Sequence, residues 1–452
     1  MEVLRRGPAS AGELAQALGV TQPTISRLLR PLERSGQVVR LGNTRGARYG
    51  LARQVGSVGR SWPLYRIDET GAPEEVASVH AIERERYFVR GGPPRIRGSF
   101  EGIPYYLQDA RPAGFLGRAI PAAHPGLGLP QRVSDWTDAH VLTYLAQRGS
   151  ESVGNLILGA EALNRYLGGE HGPRIISSEN RPSAYPVLAT EAMFGAPPGS
   201  SAHGEHPKFA IRLGVAGSLV HVLVKFSPPR TSVIGARWAD LLTAEHLAAV
   251  VLNEHGIPAA RSELLEYSNQ VFLQSERFDR IDDNGRRGVV SLSSVSITLY
   301  GEIDLWSAAA ARLRADGRLS AEDAERLVLL DTFGAMIANT DRHFGNITLF
   351  DSYEGPFALA PAYDMLPMLF APQDGQILSR DFTPPASTAA SLTVWPRARE
   401  LAEIYWTRLT QDARLSEEFR VLSARALDAV RALPSRGSPR PRVAQTREAS
   451  QG

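Results

Sequence analysis

The apolar run LVLLDTFGAMIA (residues 327–338) passes without a break into NTDRHFGNITLF (339–350), and this junction constrains the fold more than any other stretch. A run of that kind is buried, so Asn339, Asp341, Arg342, His343 and Asn346 emerge at the edge of a core. Each polar group left unsatisfied there costs stability. The cluster therefore needs partners, from the fold or from a ligand.

The rest of the chain limits what those partners are. Its 452 residues are 43% hydrophobic and 22% charged, the balance of an ordinary globular protein long enough for two or three domains. It has no cysteine, which removes disulfides and thiolate metal sites, so any metal is held by oxygen or imidazole. The N-terminus has no apolar signal core and no 18-residue apolar run occurs, so a cytoplasmic protein without membrane contact is expected. A formal charge of +2 is too small for a polyanion partner over the whole surface; any such surface is local. Of the 50 Lys and Arg residues only Lys208 and Lys225 are lysine. In a chain that writes arginine for generic positive charge, two lysines suggest a compact ammonium set against a phosphate, which a planar guanidinium replaces badly.

The excess charge sits at the N-terminus, where residues 1–60 carry ten arginines against three glutamates. There, SAGELAQALGV places Ser10 and Glu13 in capping-box spacing and stops at Gly19. TQPTISRLLRPLERSG follows, with Thr21 as the expected cap. Ile25, Leu28, Leu29 and Leu32 lie on one face, and Pro31 counts against a long regular helix. QVVRLGNTRGARYGL then alternates like a two-stranded wing. Helix, turn, helix and wing is the layout of a winged helix-turn-helix, in which the second helix enters the major groove. Gln22, Thr24, Arg27 and Arg30, with Arg45 at the wing tip, are the candidate DNA contacts.

Beyond it, WPLYRI, EVASVHAI and RYFVRG read as short strands, KFAIRLG and LVHVLVKFSPP as a hairpin carrying both lysines, and QVFLQSERFDR as a strand leading into a connector. A helix is expected over Trp238–His255 and a long one over SAEDAERLVLLDTFGAMIA, with ITLF and FALAPAYDML as a second hairpin. Asp341 and Asn346, five residues apart, have the spacing of the protein-kinase catalytic loop, where the Asp accepts a hydroxyl proton and the Asn holds a metal. Asp364, 23 residues after Asp341, supplies the further carboxylate that Mg²⁺ favours beside an amide oxygen and phosphates. Upstream, GSSAHGEHPKF is a loop able to fold over phosphates, with Lys225 reaching toward them and Glu245 on the next helix available to pair with it. Loop, lysine, helix Glu, hinge strand, Asp/Asn loop and metal Asp come in kinase order.

SAHGEHPK, VKFSPP, ERFDR, NTDRHFGN and LAPAYD also resemble the signature blocks of the HipA-like serine/threonine kinases, and the N-terminal module resembles the YjjJ-type branch. The resemblance implies an α+β, two-lobed protein-kinase-like fold behind a small winged helix-turn-helix. It implies Asp341 as catalytic base, Asn346 and Asp364 as Mg²⁺ ligands, and Lys225 as the ATP-phosphate lysine. Ser201, Gly204 and Lys208 belong to the phosphate loop, with Glu276 and Phe278 at the adenine hinge. Ser201, next to Ser200, falls at the serine the family autophosphorylates, although His206 stands where the family usually has Gln. His343 matches a loop histidine that orients the loop. The expected domains are 1–58 (DNA binding), 59–275 (N-terminal lobe with a β-rich subdomain), 276–433 (helical C-terminal lobe) and a disordered tail, 434–452.

The expected partners are ATP, Mg²⁺, a protein substrate of the translation-factor or tRNA-synthetase kind implied by the family, and double-stranded DNA bound by a homodimer. Two other functions fit the same residues: a transcription regulator whose kinase-like part senses nucleotide, and a metal-dependent enzyme acting on DNA.

Overall fold

The computed structural model describes residues 1–42, 46–169, 172–194 and 206–434. Arg45, the loop with Ser200, Ser201 and Gly204, and the tail beyond Pro434 lie outside the described residues. Two compact units form. The first gathers Met1–Ser227, Ala260–Ile303 and Phe344–Pro361; the second gathers Pro228–Ala259, Asp304–His343 and the chain from Ala362 onward.

The first unit opens with α1 (Glu2–Arg5), β1 (Ala9–Ser10), α2 (Ala11–Leu18), α3 (Gln22–Arg34), β2 (Val38–Leu41) and β3 (Arg48–Leu51), the strands ordered β1-β3-β2. Ser10 and Glu13 form the capping box, and Gly19 ends α2 in the left-handed region at φ 64°. Thr21 occupies the cap position of α3, but its hydroxyl meets the Thr24 hydroxyl at 3.0 Å and no backbone N–H. Pro31 does not shorten α3, because it falls in the last turn where few helical bonds remain to be lost. Ile25 and Leu29 are buried in a core with Leu4, Leu14, Val38 and Leu51, whereas Leu28, expected on that face, is 54% exposed at the stripe's edge.

β3 runs on into the next layer without a free linker. Glu83 donates its N–H to the Leu51 carbonyl at 3.0 Å and Arg53 to that of Ala81 at 2.9 Å, and Ala52 bridges Ile82. A methyl on Gly50 would lie 3.2 Å from the Ile82 side chain, so glycine permits this approach. That layer is the antiparallel sheet β7-β6-β5-β4-β8, built from β4 (Ser61–Ile67), β5 (Pro73–Ile82), β6 (Arg86–Arg90), β7 (Gly98–Glu101) and β8 (Leu156–Leu158). Between β7 and β8 come α4 (Tyr105–Gln108), α5 (Gly114–Arg118), α6 (Ile120–Ala123) and α7 (Asp138–Arg148), and α8 (Ala160–Gly168) follows.

A second five-stranded sheet, β12-β13-β11-β10-β9, comprises β9 (Ile175–Ser177), β10 (Lys208–Val215), β11 (Ser218–Phe226), β12 (Ser262–Tyr267) and β13 (Gln270–Glu276). α9 (Arg181–Phe194) contributes Tyr185 and Leu188 to the core on one face, against Phe209, Ile211, Val222, Val224 and Phe272. After β13 come the hairpin β14 (Arg280–Ile281) and β15 (Gly285–Arg286), then β16 (Val289–Ser291), α11 (Leu292–Tyr300), β17 (Thr348–Phe350) and β18 (Ala358–Leu359), the last three strands forming one sheet.

The second unit is helical: α10 (Val233–Glu254), α12 (Trp306–Ala315), α13 (Ala321–Met336), α14 (Trp395–Gln411) and α15 (Glu417–Arg431). α10 starts earlier than its apolar pattern suggests because Ser232 caps it through the Gly235 N–H. Trp306, Trp395, Trp406, Phe333, Tyr405 and Phe419 fill the interior, and Trp406 donates its indole N–H to the Met336 carbonyl at 3.0 Å. No described helix is long and apolar enough to cross a membrane.

One histidine carries a pH-dependent share of stability. His80 on β5 stacks on Phe88 and hydrogen-bonds Ser78 at 2.9 Å. Burial, then the nearby Arg90, pushes its pKa down to about 4. An unfolded histidine titrates near ~6.5, so between these values the unfolded chain binds more protons and stability falls as pH falls. We expect the melting temperature to drop from pH 6.5 toward pH 5 and His80→Gln to flatten that drop; parallel slopes in scanning calorimetry would contradict it.

Candidate active site

In the first unit, the β10–β11 hairpin turns at Ala216 and Gly217, both with φ above zero, and pairs Lys208 directly opposite Lys225. Directly opposed residues share a sheet face. Phe209, Ile211, Val222 and Val224 turn into the core, so Lys208, Ala210 and Arg212 on β10 and His221, Leu223 and Lys225 on β11 occupy the other face. Lys225 is only 8% exposed. The two lysines of the chain are thus neighbours across one pair of strands.

β13 lies beside β11, and its end forms the candidate hinge. The Glu276 N–H donates to the Arg261 carbonyl and the Arg277 N–H to that of His221, each at 2.9 Å, while the Glu276 side chain stays exposed. Phe278 is half-buried and meets Phe350 edge to face, with centroids 5.9 Å apart. Next to it Asp279 is buried, accepting from Arg277 Nε at 3.0 Å and Nη2 at 2.8 Å, from Arg280 Nη1 at 2.7 Å and from the Gly154 N–H at 3.0 Å. Asn346, also in this unit, ends a 3₁₀ turn (Phe344–Asn346), and its side chain is buried.

In the second unit the polar cluster finds its partners. α13 ends with Ala338 in the left-handed region, φ 57°, and the Asn339 N–H reaches back to the Gly334 carbonyl at 2.9 Å. Glycine usually fills such a position, and a residue with a Cβ there costs roughly 1–2 kcal/mol. The Asn339 side chain, in a residue 1% exposed, explains why the arrangement holds. Its Oδ1 accepts the Asp341 N–H at 3.0 Å and its Nδ2 donates to the Asp364 carbonyl at 3.2 Å. One buried amide therefore fixes the backbone of the candidate base and of the candidate metal ligand. Arg342 donates to Asp331 at 3.2 Å and to the Asn339 carbonyl, and a Cβ at Gly334 would stand 2.6 Å from its Cδ, so only glycine lets it cross α13. Trp306 donates to the His343 carbonyl at 3.2 Å. Asp341 and His343 stay exposed; Asp364 is half-buried with φ 55°.

Such left-handed backbone at a non-glycine residue is strained and persists where neighbours fix it. Glu245 on α10 is 7% exposed, and its carboxylate adds to the burial that raises the Tyr405 pKa.

The structure thus joins Asp341 to Asp364 and Lys208 to Lys225, within separate units, and sets Asn346 and the hinge in the unit of the lysines. Asn339 stands in the opening motif, but its part depends on Asp364, 25 residues away, and no local signal shows that. An amide oxygen and a carboxylate suit Mg²⁺ when phosphates complete its shell. Among the described residues no three His, Asp or Glu side chains gather as a metal site. On α3, Gln22, Arg27 and Arg30 are exposed and Thr24 is half-buried.

Three family models match the chain: a bacterial regulatory protein of the arsR family over residues 1–38, the middle domain of a YjjJ-like toxin over 58–167, and the HipA-like C-terminal domain over 200–432. Toxin YjjJ of Escherichia coli K12 is 35% identical over 433 residues, covering 95% of this chain and 96% of that protein. Among solved structures, the toxin–antitoxin complex of Shewanella oneidensis MR-1 HipA with HipB and operator DNA matches at TM-score 0.55 and 14% identity, over 82% of this chain and 97% of the other. The Helicobacter pylori proinflammatory kinase CtkA gives TM-score 0.37 and 15% identity over 51% and 88%. With the winged helix-turn-helix in front of a mixed α+β, kinase-like body, the chain belongs to the HipA-like family, in the branch of toxin YjjJ.

Proposed function

We propose that this protein is an ATP- and Mg²⁺-dependent serine/threonine protein kinase of the HipA toxin type that carries its own DNA-binding module. The observation that carries the reading is the lysine pair: the two lysines in a chain of arginines stand directly opposite each other on β10 and β11. Two ammonium groups side by side on one sheet face suit the phosphates of a nucleotide, and a compact ammonium suits the task better than a guanidinium.

On this reading Lys208 and Lys225 bind the ATP phosphates with Ser201 and Gly204 of the preceding loop, and the backbone around Glu276 and Phe278 receives the adenine. Asn346 and Asp364 hold Mg²⁺, which when bound neutralises charge on the transferring phosphoryl group. Asp341 accepts the proton of the substrate hydroxyl, and its exposure leaves it open to a protein side chain. Asn339 keeps the Asp341 and Asp364 backbones in place before ATP arrives, so the chemistry needs little rearrangement. Ser201 is the autophosphorylation site, and the target is a protein of the translation machinery in the cytoplasm. The N-terminal module, acting in a homodimer, places Gln22, Thr24, Arg27, Arg30 and Arg45 against DNA and lets the kinase regulate its own synthesis.

Replacing Lys225 with Arg keeps the charge and should reduce phosphotransfer at least about tenfold, or roughly 1.4 kcal/mol of transition-state stabilisation. The same change at Lys208, half-buried, should cost less. A folded Lys225→Arg protein with the wild-type rate would return both lysines to chance.

Asn339→Asp keeps the acceptor for the Asp341 N–H but sets a carboxylate against the Asp364 carbonyl. We expect a stability loss of about 1–3 kcal/mol and a higher Mg²⁺ concentration for half-maximal rate. An unchanged Mg²⁺ dependence would deny the positioning role.

For the DNA module, Arg27→Ala with Arg30→Ala should lower the salt slope of promoter binding by about 2, one for each phosphate no longer neutralised. Anisotropy titrations at several salt concentrations read it, and an unaltered slope would mean that α3 does not face the duplex.

A further inference from the structure

A second cationic site lies in the first unit, on the lysine face of the sheet but four residues further along β10. Arg212 and His221 are direct cross-strand partners there, as Lys208 and Lys225 are at the other end. At ~3.3 Å per residue the two pairs stand roughly 13 Å apart. Arg212 and His221 line a narrow cleft with Arg165 of α8, Arg280 and Arg286 of the β14–β15 hairpin, and the acidic residues Glu151 and Asp283; its volume is about 30 Å³. A single water occupies ~10–15 Å³ by the same measure, so the cleft admits the oxygens of one small ion and no nucleoside.

Four guanidiniums line the cleft against two carboxylates, Glu151 and Asp283, and Arg165 is paired with Glu161 at 3.4 Å. The side chains of Arg280 and Arg286 are 1% and 3% exposed. Asp279 is already shared between Arg277 and Arg280, and the nearest oxygen of Glu151 is 3.5 Å from Arg286. Arg280 Nε and Arg286 Nη1 are buried without a hydrogen-bond partner, as is His221 Nδ1, although His221 Nε2 contacts the Asp283 carbonyl at 3.1 Å. Burial and the neighbouring Arg277 push Arg280 down to about 9, and burial likewise lowers Arg286 and His221. Arg212 gives its Nε to the Pro173 carbonyl at 3.0 Å and makes no ion pair among the described residues. Buried cations with unused donors are costly unless an opposite charge arrives.

We propose that this cleft binds a tetrahedral oxyanion of the phosphate class, either free phosphate or the phosphoryl group of a phosphomonoester. Arg212 and Arg165 make the direct contacts, and the sealed guanidiniums of Arg280 and Arg286 act through their field. The site bridges α8 to the hairpin that begins two residues after Phe278, so its occupant braces the candidate hinge from beyond the lysine pair. The proposal does not depend on kinase activity.

The test is calorimetric titration and thermal melting of the full chain with inorganic phosphate, and separately with O-phosphoserine, against chloride at equal ionic strength. We expect saturable stabilisation of the wild type. Lys208→Ala with Lys225→Ala should retain it, and Arg212→Ala should weaken binding at least about tenfold. Arg165→Ala, on the more exposed helix, serves if Arg212→Ala fails to fold. Phosphate acting alone identifies a free ion; O-phosphoserine matching or exceeding it identifies a phosphorylated side chain. Three results would overturn the site: no saturable response to either anion below about 50 mM, a wild-type response in the arginine variants, or a response lost in the lysine variant, which would assign the anion to Lys208 and Lys225.

Discussion

The buried carboxylate of Asp279 is the point on which the first unit turns. Burial alone would raise its pKa, but Arg277 and then Arg280 overcome that and hold it well below the usual carboxylate range, with the Gly154 N–H adding to the effect. The group therefore stays ionised, and everything attached to it stays in register. Arg277 continues β13, Arg280 opens β14, and Gly154 belongs to the turn before β8. Arg280 also donates to the carbonyls of Ser152 and Gly154, so one ion cluster ties two sheets and a hairpin together. Removing one member of such a cluster typically costs ~3–5 kcal/mol, because the remaining charge is left buried without its partner.

A comparable economy governs the second unit, where a neutral amide does the fixing. Asn339 presents an acceptor oxygen and a donor nitrogen, and it turns each to a different stretch of backbone. An amide suits this place because it satisfies two buried groups without introducing a charge that would itself need compensation. Arg342 closes the remaining carbonyl of the turn and lies over Gly334, so the polar end of an apolar helix becomes self-satisfied while Asp341 still faces outward.

Much of this was legible in the chain where local rules decide. The capping box at Ser10, the β10–β11 and β17–β18 hairpins and the polar stop of α13 all follow from short-range patterns, and the HipA-like blocks led to the family. Long-range facts were not. The register that sets Lys208 against Lys225 depends on the two-residue turn at Ala216 and Gly217, which the alternation of the strands leaves free to slip. The burial of Glu245 is hidden because α10 is enclosed on most sides, so no amphipathic stripe marks which face is which. Nothing in RIDDNGRRG distinguishes the sealed guanidiniums of Arg280 and Arg286 from solvated ones. Leu28 shows the opposite error: a stripe drawn at helical spacing includes an edge position that the core does not reach.

The seam between the winged module and the sheet that follows it has a mechanical meaning. A DNA-reading head on a slack tether samples many orientations and settles wherever the duplex offers a half-site. Here the backbone bonds of Leu51, Arg53, Ala81 and Glu83 leave no slack, so a head that grips a groove carries the β5 layer with it as one stiff arm. A load placed on the module would be felt directly in the layer behind the wing, and the angle between the two would be altered by remodelling the sheet rather than by lengthening a linker.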